Sequence, residues 1–374
     1  MPFNASDEHS PLSGLDEYLV HNFPHPVRVM WTTDAQAYER IWFSVADTAG
    51  VLMVVCGLAF YPNLGTAEAY ALVNIEGEHH AVRAHRLMSD DRMVTAIGPL
   101  SFDVVEPFKQ WRLRLAPNDS ELAFDIRWFD TKRAVFRNIG AGVIAGGKPF
   151  GGVAGYDAFG VQDGWVEVSG KRYVLDRGEH NGSRDHHWGT RDGVGGPAMW
   201  SGWQHPTSGG FVQFADWAVF ADHILYNLGD PRRGSRVAIR RTHRLRFESE
   251  TDMLVGGEMD LELPSGEIKR VTFEQLGQQV AYLRCAMYGG PNGGTPDGNL
   301  WHGMRVTERP DEVAVSHVRY NVNDPQVRMQ IRGLDQHHMR FQCDGETAYG
   351  LFEAYDPLCY QTAARGRGGL SIAK

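Results

Sequence analysis

Segment after segment of this chain alternates apolar and polar side chains with a period of two, and that alternation admits little besides antiparallel β-structure. Leu122, Phe124, Ile126 and Trp128 interleave with Glu121, Ala123, Asp125 and Arg127. Trp111, Leu113 and Leu115 flank Arg112 and Arg114, and 243–248, 259–263, 270–273 and 313–320 have the same character. Successive side chains of a strand point to opposite faces, so each such segment can cover a core with one face and meet water with the other. Turn residues separate the segments, as at Tyr61-Pro62-Asn63, Glu76-Gly77-Glu78, Pro117-Asn118-Asp119 and Pro264-Ser265-Gly266. The segments 40–45, 68–75, 164–168, 171–175 and the long aromatic 211–220 complete the set, and no long amphipathic helix interrupts it. The expected fold is all-β, built as antiparallel barrels or sandwiches.

At 374 residues the chain exceeds one ordinary domain. Two β domains in tandem are expected, 1–190 and 191–374, joined near 185–200. Trp42, Tyr70, Trp111 and Trp128 read as core of the first. The Gly-rich stretch 137–160 reads as a long loop, and His79-His80 and His337-His338 read as solvated turn residues. Cys56, Cys285, Cys343 and Cys359 are scattered in apolar contexts without CxxC spacing, as buried free thiols would be.

Thirty-seven basic residues against 46 acidic give a net charge of −9, with no Lys/Arg block to bind nucleic acid. The apolar run 50–60 is far too short to span a bilayer, and the N-terminus is polar and acidic, so a cytoplasmic protein is expected. A homodimer is compatible with the sequence. There is no GxxxxGK[ST], no HExxH and no Gly-x-Ser-x-Gly; Gly140-Ala141-Gly142 has no βαβ pattern around it. No cofactor is called for. Catalysis must be sought among Asp, His, Trp and Tyr.

Gly178 to Asp192 gathers three His, two Arg and three acidic side chains around Trp188. On an extended backbone His186 and Trp188 point one way while Asp185 and His187 point the other. One face then offers an imidazole beside an indole, and the opposite pair can join Arg184 or Arg191 in a supporting network. A metal would need a third ligand from His205, Asp216 or His223. Adjacent histidines alternate faces, so no metal is expected. Asp216 interrupts an otherwise apolar strand, where it either pairs with an Arg or sits in an apolar pocket with a raised pKa and serves as a general acid. Trp200, Trp203, Trp217 and Tyr226 individually read as core, and together suit a large apolar ligand.

The segment Gly182-Ser183-Arg184-Asp185-His186-His187-Trp188-Gly189-Thr190-Arg191 resembles the G-x-R-D-H-x-W-G-x-R segment of the carotenoid 1,2-hydratase/AttH-like superfamily. The resemblance implies two lipocalin-like β-barrels that meet at the segment. It also implies a site using His186, Trp188 and Asp216, where hydratases protonate an isoprenoid double bond and add water, and relatives catalyse cyclisations. Those hydratases carry a Tyr two residues before the Asp; here it is Phe214, which removes a hydroxyl that could orient the carboxylate.

The expected function is a cofactor-independent enzyme that transfers protons on an isoprenoid-, steroid- or polycyclic-like molecule, as a hydratase, isomerase or cyclase. Asp216, His186 and His187 are its expected catalytic residues. Trp188, Phe214, Trp217, Trp203, His205 and Tyr226 line the cavity, and Arg184, Asp185 and Arg191 support it. The competing expectation is a non-catalytic lipid or terpenoid carrier, with the cluster only joining two barrels.

Overall fold

The computed structural model describes residues 32–89, 91–131, 133–139, 152–190, 240–251, 253–288, 294–298 and 300–354, with short pieces at 18–19, 30, 144–145, 148–149, 194–195, 217–219, 224–226 and 371–373. Two meanders open it: β1 (Ala37–Asp47), β2 (Leu52–Tyr61), β3 (Thr66–Ile75) and β4 (Glu78–Leu87), then β5 (Ala96–Ile97), β6 (Leu100–Glu106), β7 (Gln110–Leu115) and β8 (Leu122–Asp130). The short β9 (Val135–Ile139), β10 (Ile144–Ala145) and β11 (Lys148–Pro149) precede the long β12 (Val153–Val168), β13 (Lys171–Leu175) and β14 (His180–Thr190). The C-terminal half contributes β15 (Trp217–Val219), β16 (Ile224–Tyr226), β17 (Arg240–Phe247), β18 (Leu254–Glu262) and β19 (Ile268–Tyr282). It continues with β20 (Ala314–Asn321), α1 (Pro325–Ile331), β21 (Asp335–Cys343), β22 (Glu346–Ala354) and β23 (Ser371–Ala373).

The first sheet runs β20-β4-β3-β2-β1-β14-β12-β8-β7-β6-β5, with β9 and β13 also paired to β12. It is antiparallel and curled: a Cβ built at Gly98, beside β5, would lie 3.1 Å from Val313 and from Val315 at β20. The second sheet runs β16-β15-β22-β21-β19-β18-β17-β23. The chain is all-β, as the alternation requires. One strand crosses between the halves, since β20 pairs with β4 from Ala314↔His85 to Asn321↔Glu78.

Ile41, Phe43, Val54, Leu58, Trp111 and Trp128 fill the inside of the curl. The outer face of β1–β4 is also covered: Trp42, Val55, Tyr70 and Leu72 pack against Val280, Tyr282, Leu283 and Tyr288. Burial on both faces is why β2 reads as one apolar run while β7 and β8 alternate. A third core lies on the second sheet, around Leu245, Met259, Phe273, Phe341 and Phe352.

Two expectations are corrected here. His79, His80, His337 and His338 lie on strands β4 and β21 and are buried, not solvated. Tertiary cover hides them: the His79 ring stands 5.2 Å from that of Tyr282, whose backbone N–H donates to His79 Nε2 at 3.3 Å. Burial, foremost, pushes the His79 and His337 pKa values down to about 3 and those of His80 and His338 to about 4. The second correction concerns 137–160, where β9 and the first half of β12 are strands rather than loop. Small residues suit β12 because it runs against large rings. A Cβ on Gly160 would lie 2.6 Å from the Trp128 ring.

Cys56, Cys285 and Cys343 are buried free thiols, and burial pushes the Cys285 thiol up to about 12. Cys359 lies outside the described residues. Among the described residues no helix is long and apolar enough to cross a membrane.

Candidate active site

Strand β14 is the centre of the site because it runs between β1 and β12, paired to both. Asp185 lies opposite Trp42 and Asp157; His187 lies opposite Arg40 and Gly155. Alternation sends Arg184, His186 and Trp188 to the inner face and Asp185 and His187 to the outer face, toward the segment that follows β19.

The inner set is a buried polar chain. The Arg184 guanidinium donates to both carboxylate oxygens of Asp130, at 2.9 and 2.6 Å, and to the Tyr156 hydroxyl at 3.0 Å. Trp128 Nε1 donates to the same Asp130 at 2.6 Å. His186 Nε2 lies 3.0 Å from Glu39 Oε1, and Arg92 holds the other oxygen of Glu39. His186, Glu39 and Arg92 side chains are all fully buried. The His186 ring meets Tyr156 and Trp188 edge-on, at 5.5 and 5.2 Å between centroids. Buried charges are tolerated only when paired in this way.

The outer set is partly open. Arg40 donates to Asp185 at 2.9 Å and to the Tyr288 hydroxyl, which lies 3.2 Å from the hydroxyl of Tyr70. The side chains of Arg40 and Asp185 are 15% and 12% exposed and that of His187 is 8% exposed, so solvent reaches this cluster, whereas His186, Glu39 and Arg184 are enclosed. His187 Nδ1 is 3.7 Å from Asp185 and Nε2 is 3.9 Å from Asp157, which places a carboxylate beyond each ring nitrogen. Gly155 leaves the room: a Cβ there would lie 2.2 Å from His187 Cδ2. Burial acts to lower the Arg40 pKa, but Asp185, Tyr288, Tyr38 and Tyr70 outweigh it and hold it well above the ordinary value. Burial first, then Tyr288, pushes the Tyr70 hydroxyl up.

The network continues away from β14. Tyr288 meets the His302 ring edge-on at 4.3 Å, and His302 Nδ1 bonds to buried Glu68. Glu68 also accepts from the Tyr61 hydroxyl and from the Gly303 N–H at 3.1 Å. Burial alone would raise the Glu68 pKa; His302, His85 and Tyr61 lower it by more, keeping it ionised.

Asp157, Asp185 and His187 are also the grouping, among the described residues, whose donor atoms could hold a metal ion, all lying within 4.8 Å of one another. The two carboxylates address different ring nitrogens, however, and Arg40 already neutralises Asp185.

The structure brings Asp185 and His187 together and sets His186, Trp188 and Arg184 on the opposite face. Arg184 serves Asp130 rather than Asp185, whose cation is Arg40. Trp217 and Tyr226 are register partners in β15 and β16 of the second sheet. Asp216, Phe214, Trp203, His205, Trp200, His223 and Arg191 lie outside the described residues. Sequence reading passed over Glu39, Arg40, Asp157 and Tyr288. The available signal was charge inside otherwise apolar strands: Glu39-Arg40 before Ile41-Trp42-Phe43, and Asp157 between Tyr156 and Ala158.

The chain belongs to a family of unknown function (DUF8625), whose profile matches residues 12–343. No curated protein matches the sequence. Among solved structures it is similar to the AttH-like protein NE1406 of Nitrosomonas europaea, at 10% identity and a TM-score of 0.47, over 85% of this chain and 91% of that one. It is also similar to kievitone hydratase from Nectria haematococca, at 10% identity and a TM-score of 0.46, over 88% and 93% of the two chains. A third similarity is to CghA, at 10% identity and a TM-score of 0.43, over 86% and 88%.

Proposed function

We propose that this member of DUF8625 is an enzyme that moves a proton on a hydrophobic small molecule, in the manner of a hydratase, isomerase or cyclase. The observation that carries the reading is His187, a nearly buried imidazole with a carboxylate beyond each ring nitrogen. Asp185 and Asp157 flank the ring and the Arg40 guanidinium lies 3.4 Å from Nδ1, and an imidazole held among such groups can take a proton from a substrate carbon or from water and return it. Arg40 keeps Asp185 in place, and Tyr288 keeps Arg40 in place. A base fixed in this way loses no time to rotamer search, and a partly dry surrounding strengthens each charge.

His186, locked to Glu39 behind the strand, positions β14 rather than meeting substrate. Asp216 retains in this reading its role as general acid. Phe214, Trp203, His205, Trp217 and Tyr226 would line the apolar part of the site, with Arg191 in support, while Trp188 stands on the opposite face of β14 from His187. The division into 1–190 and 191–374 belongs to the same reading, with β20 as the strand that the C-terminal domain lends to the first. Proton transfer of this kind asks for no cofactor.

The test needs no prior substrate. The protein is incubated in D2O with a panel of hydrophobic alkenes, enones and polycyclic phenols, and carbon-bound deuterium is read by mass spectrometry. Wild type is expected to label at least one compound and His187→Gln to label none at an unchanged melting temperature. Labelling that survives His187→Gln would remove His187 from the reaction. Binding of a panel member with no labelling by wild type would replace the enzyme with a carrier.

A further inference from the structure

Three groups box the ring of Tyr288. The His302 ring stands perpendicular to it at 4.3 Å, the Tyr70 ring perpendicular at 6.0 Å, and the Arg40 guanidinium lies 5.6 Å from its centre. Arg40 donates through one terminal nitrogen to the Tyr288 hydroxyl. Its other terminal nitrogen donates to Asp185 at 2.9 Å and lies 3.4 Å from His187 Nδ1. A long, rotamer-rich side chain keeps one orientation only when the groups that hold it are themselves fixed. The position of Tyr288 therefore bears on the whole outer cluster.

His302 is fixed from behind. The ionised Glu68 carboxylate can only accept, so His302 Nδ1 carries the hydrogen of the bond between them. Glu68 accepts as well from the Tyr61 hydroxyl and, at 3.1 Å, from the Gly303 N–H. Both Glu68 and His302 are buried, and enclosing a carboxylate costs desolvation. Tethering this part of the chain does not require it. Thr66 Oγ1 already donates to the Gly303 carbonyl at 3.0 Å, and the Gly195 N–H to the His302 carbonyl at 2.9 Å. Arg83 holds both oxygens of Asp297 at 2.9 and 2.8 Å. What the Glu68–His302 bond adds is the direction of one ring, and that ring is the one set against Tyr288.

We propose that Glu68 and His302 are positioning residues of the proton-transfer site: they hold Tyr288, Tyr288 holds Arg40, and Arg40 is thereby set against Asp185 and His187. Both act through other side chains, so neither is catalytic. The proposal rests on the assignment of His187 as the base. It gives the chain between β19 and β20 a part in a site whose other members lie on β1, β12 and β14.

Two readouts on the full chain test it. Nitrogen-15 spectra of the arginine side chains, with Arg40 assigned from Arg40→Lys, report whether its guanidinium rotates and need no substrate. The Arg40 Nη signals are expected to be separate in wild type and to merge in His302→Leu and in Tyr288→Phe. Deuterium labelling is the second readout: His302→Leu should lose about tenfold or more in kcat with KM unchanged. Thr66→Val, which cuts another tie of the same segment, should alter neither. Glu68→Gln leaves no charge buried and should act as His302→Leu does, so the test survives a His302 variant that fails to fold. Merged Arg40 signals in wild type, separate signals in a folded His302→Leu or Glu68→Gln, or an equal loss of kcat in Thr66→Val would each overturn the proposal. A wild type that labels no compound would strike the assignment of His187 instead, and the spectra alone would then decide whether the pair holds Arg40.

Discussion

Arg184→Leu is the substitution whose consequence can be worked out most fully. Arg184 is 1% exposed and Asp130 4% exposed at the side chain, and the pair is joined by two hydrogen bonds. Leucine approximates the volume of the removed stem, so packing against Trp111 is largely kept while the charge is lost. Asp130 would retain only the Trp128 Nε1 donor of the partners named above, and Tyr156 would lose the guanidinium donor to its hydroxyl. Removing one partner of a buried ion pair costs about 3–5 kcal/mol. Against a total stability of roughly 5–15 kcal/mol, that lowers the folded-to-unfolded ratio by about two to four orders of magnitude. With a urea m-value of about 3 kcal/mol/M, the midpoint falls by roughly 1–1.7 M. Urea melts followed by tryptophan fluorescence read it directly, because Trp111 and Trp128 flank the pair. Removing both charges, as Arg184→Leu with Asp130→Leu, should restore most of the loss, leaving about 1–2 kcal/mol for the Tyr156 and Trp128 bonds. A single variant that loses less than about 1 kcal/mol would refute the reasoning, since it would mean the pair is not desolvated. So would a double variant as unstable as the sum of two singles.

Two further outcomes are expected. Acid should destabilise the fold through His79, His80, His337 and His338, whose pKa values are pushed from 6.5 to about 3 or 4. A histidine depressed in the folded state stabilises it above the unfolded value; that contribution is lost as pH falls from about 6.5 toward 3. Melting temperatures measured across this window should drop, and His337→Phe should flatten the slope; a flat wild-type profile would contradict the burial of these rings. Gly155→Ala should displace the His187 ring, because the new Cβ would fall 2.2 Å from both His187 Cδ2 and the His186 carbonyl oxygen. Deuterium labelling by this variant is expected to fall at least about 100-fold, the scale for a misplacement near 1 Å. Unaltered labelling in a folded Gly155→Ala would show that ring position is immaterial.

Much of the fold was legible because period-two alternation leaves so few alternatives. β7, β8, β17, β18 and most of β20 fall where Trp111, Phe124, Leu245, Met259 and Val318 alternate with charge. The face-splitting of Asp185-His186-His187-Trp188 was legible for the same reason. The short helix α1 carries its own local signals, since Asp324 caps it by accepting from the Gln326 N–H at 2.8 Å and Pro325 occupies its first position.

What the sequence by itself determined is therefore the class of structure and the opposed directions of neighbouring side chains in β14. Those are short-range consequences of chain geometry. Only the tertiary structure decided that solvent reaches the Asp185 cluster while His186 is enclosed, that Arg40 rather than Arg184 serves Asp185, and that His79, His80, His337 and His338 are buried. Arg40 and Asp185 are separated by 145 positions, His186 and Glu39 by 147, and Arg40 and Tyr288 by 248. Their meeting follows from strand order and register across the whole sheet, and no local pattern of residues encodes either.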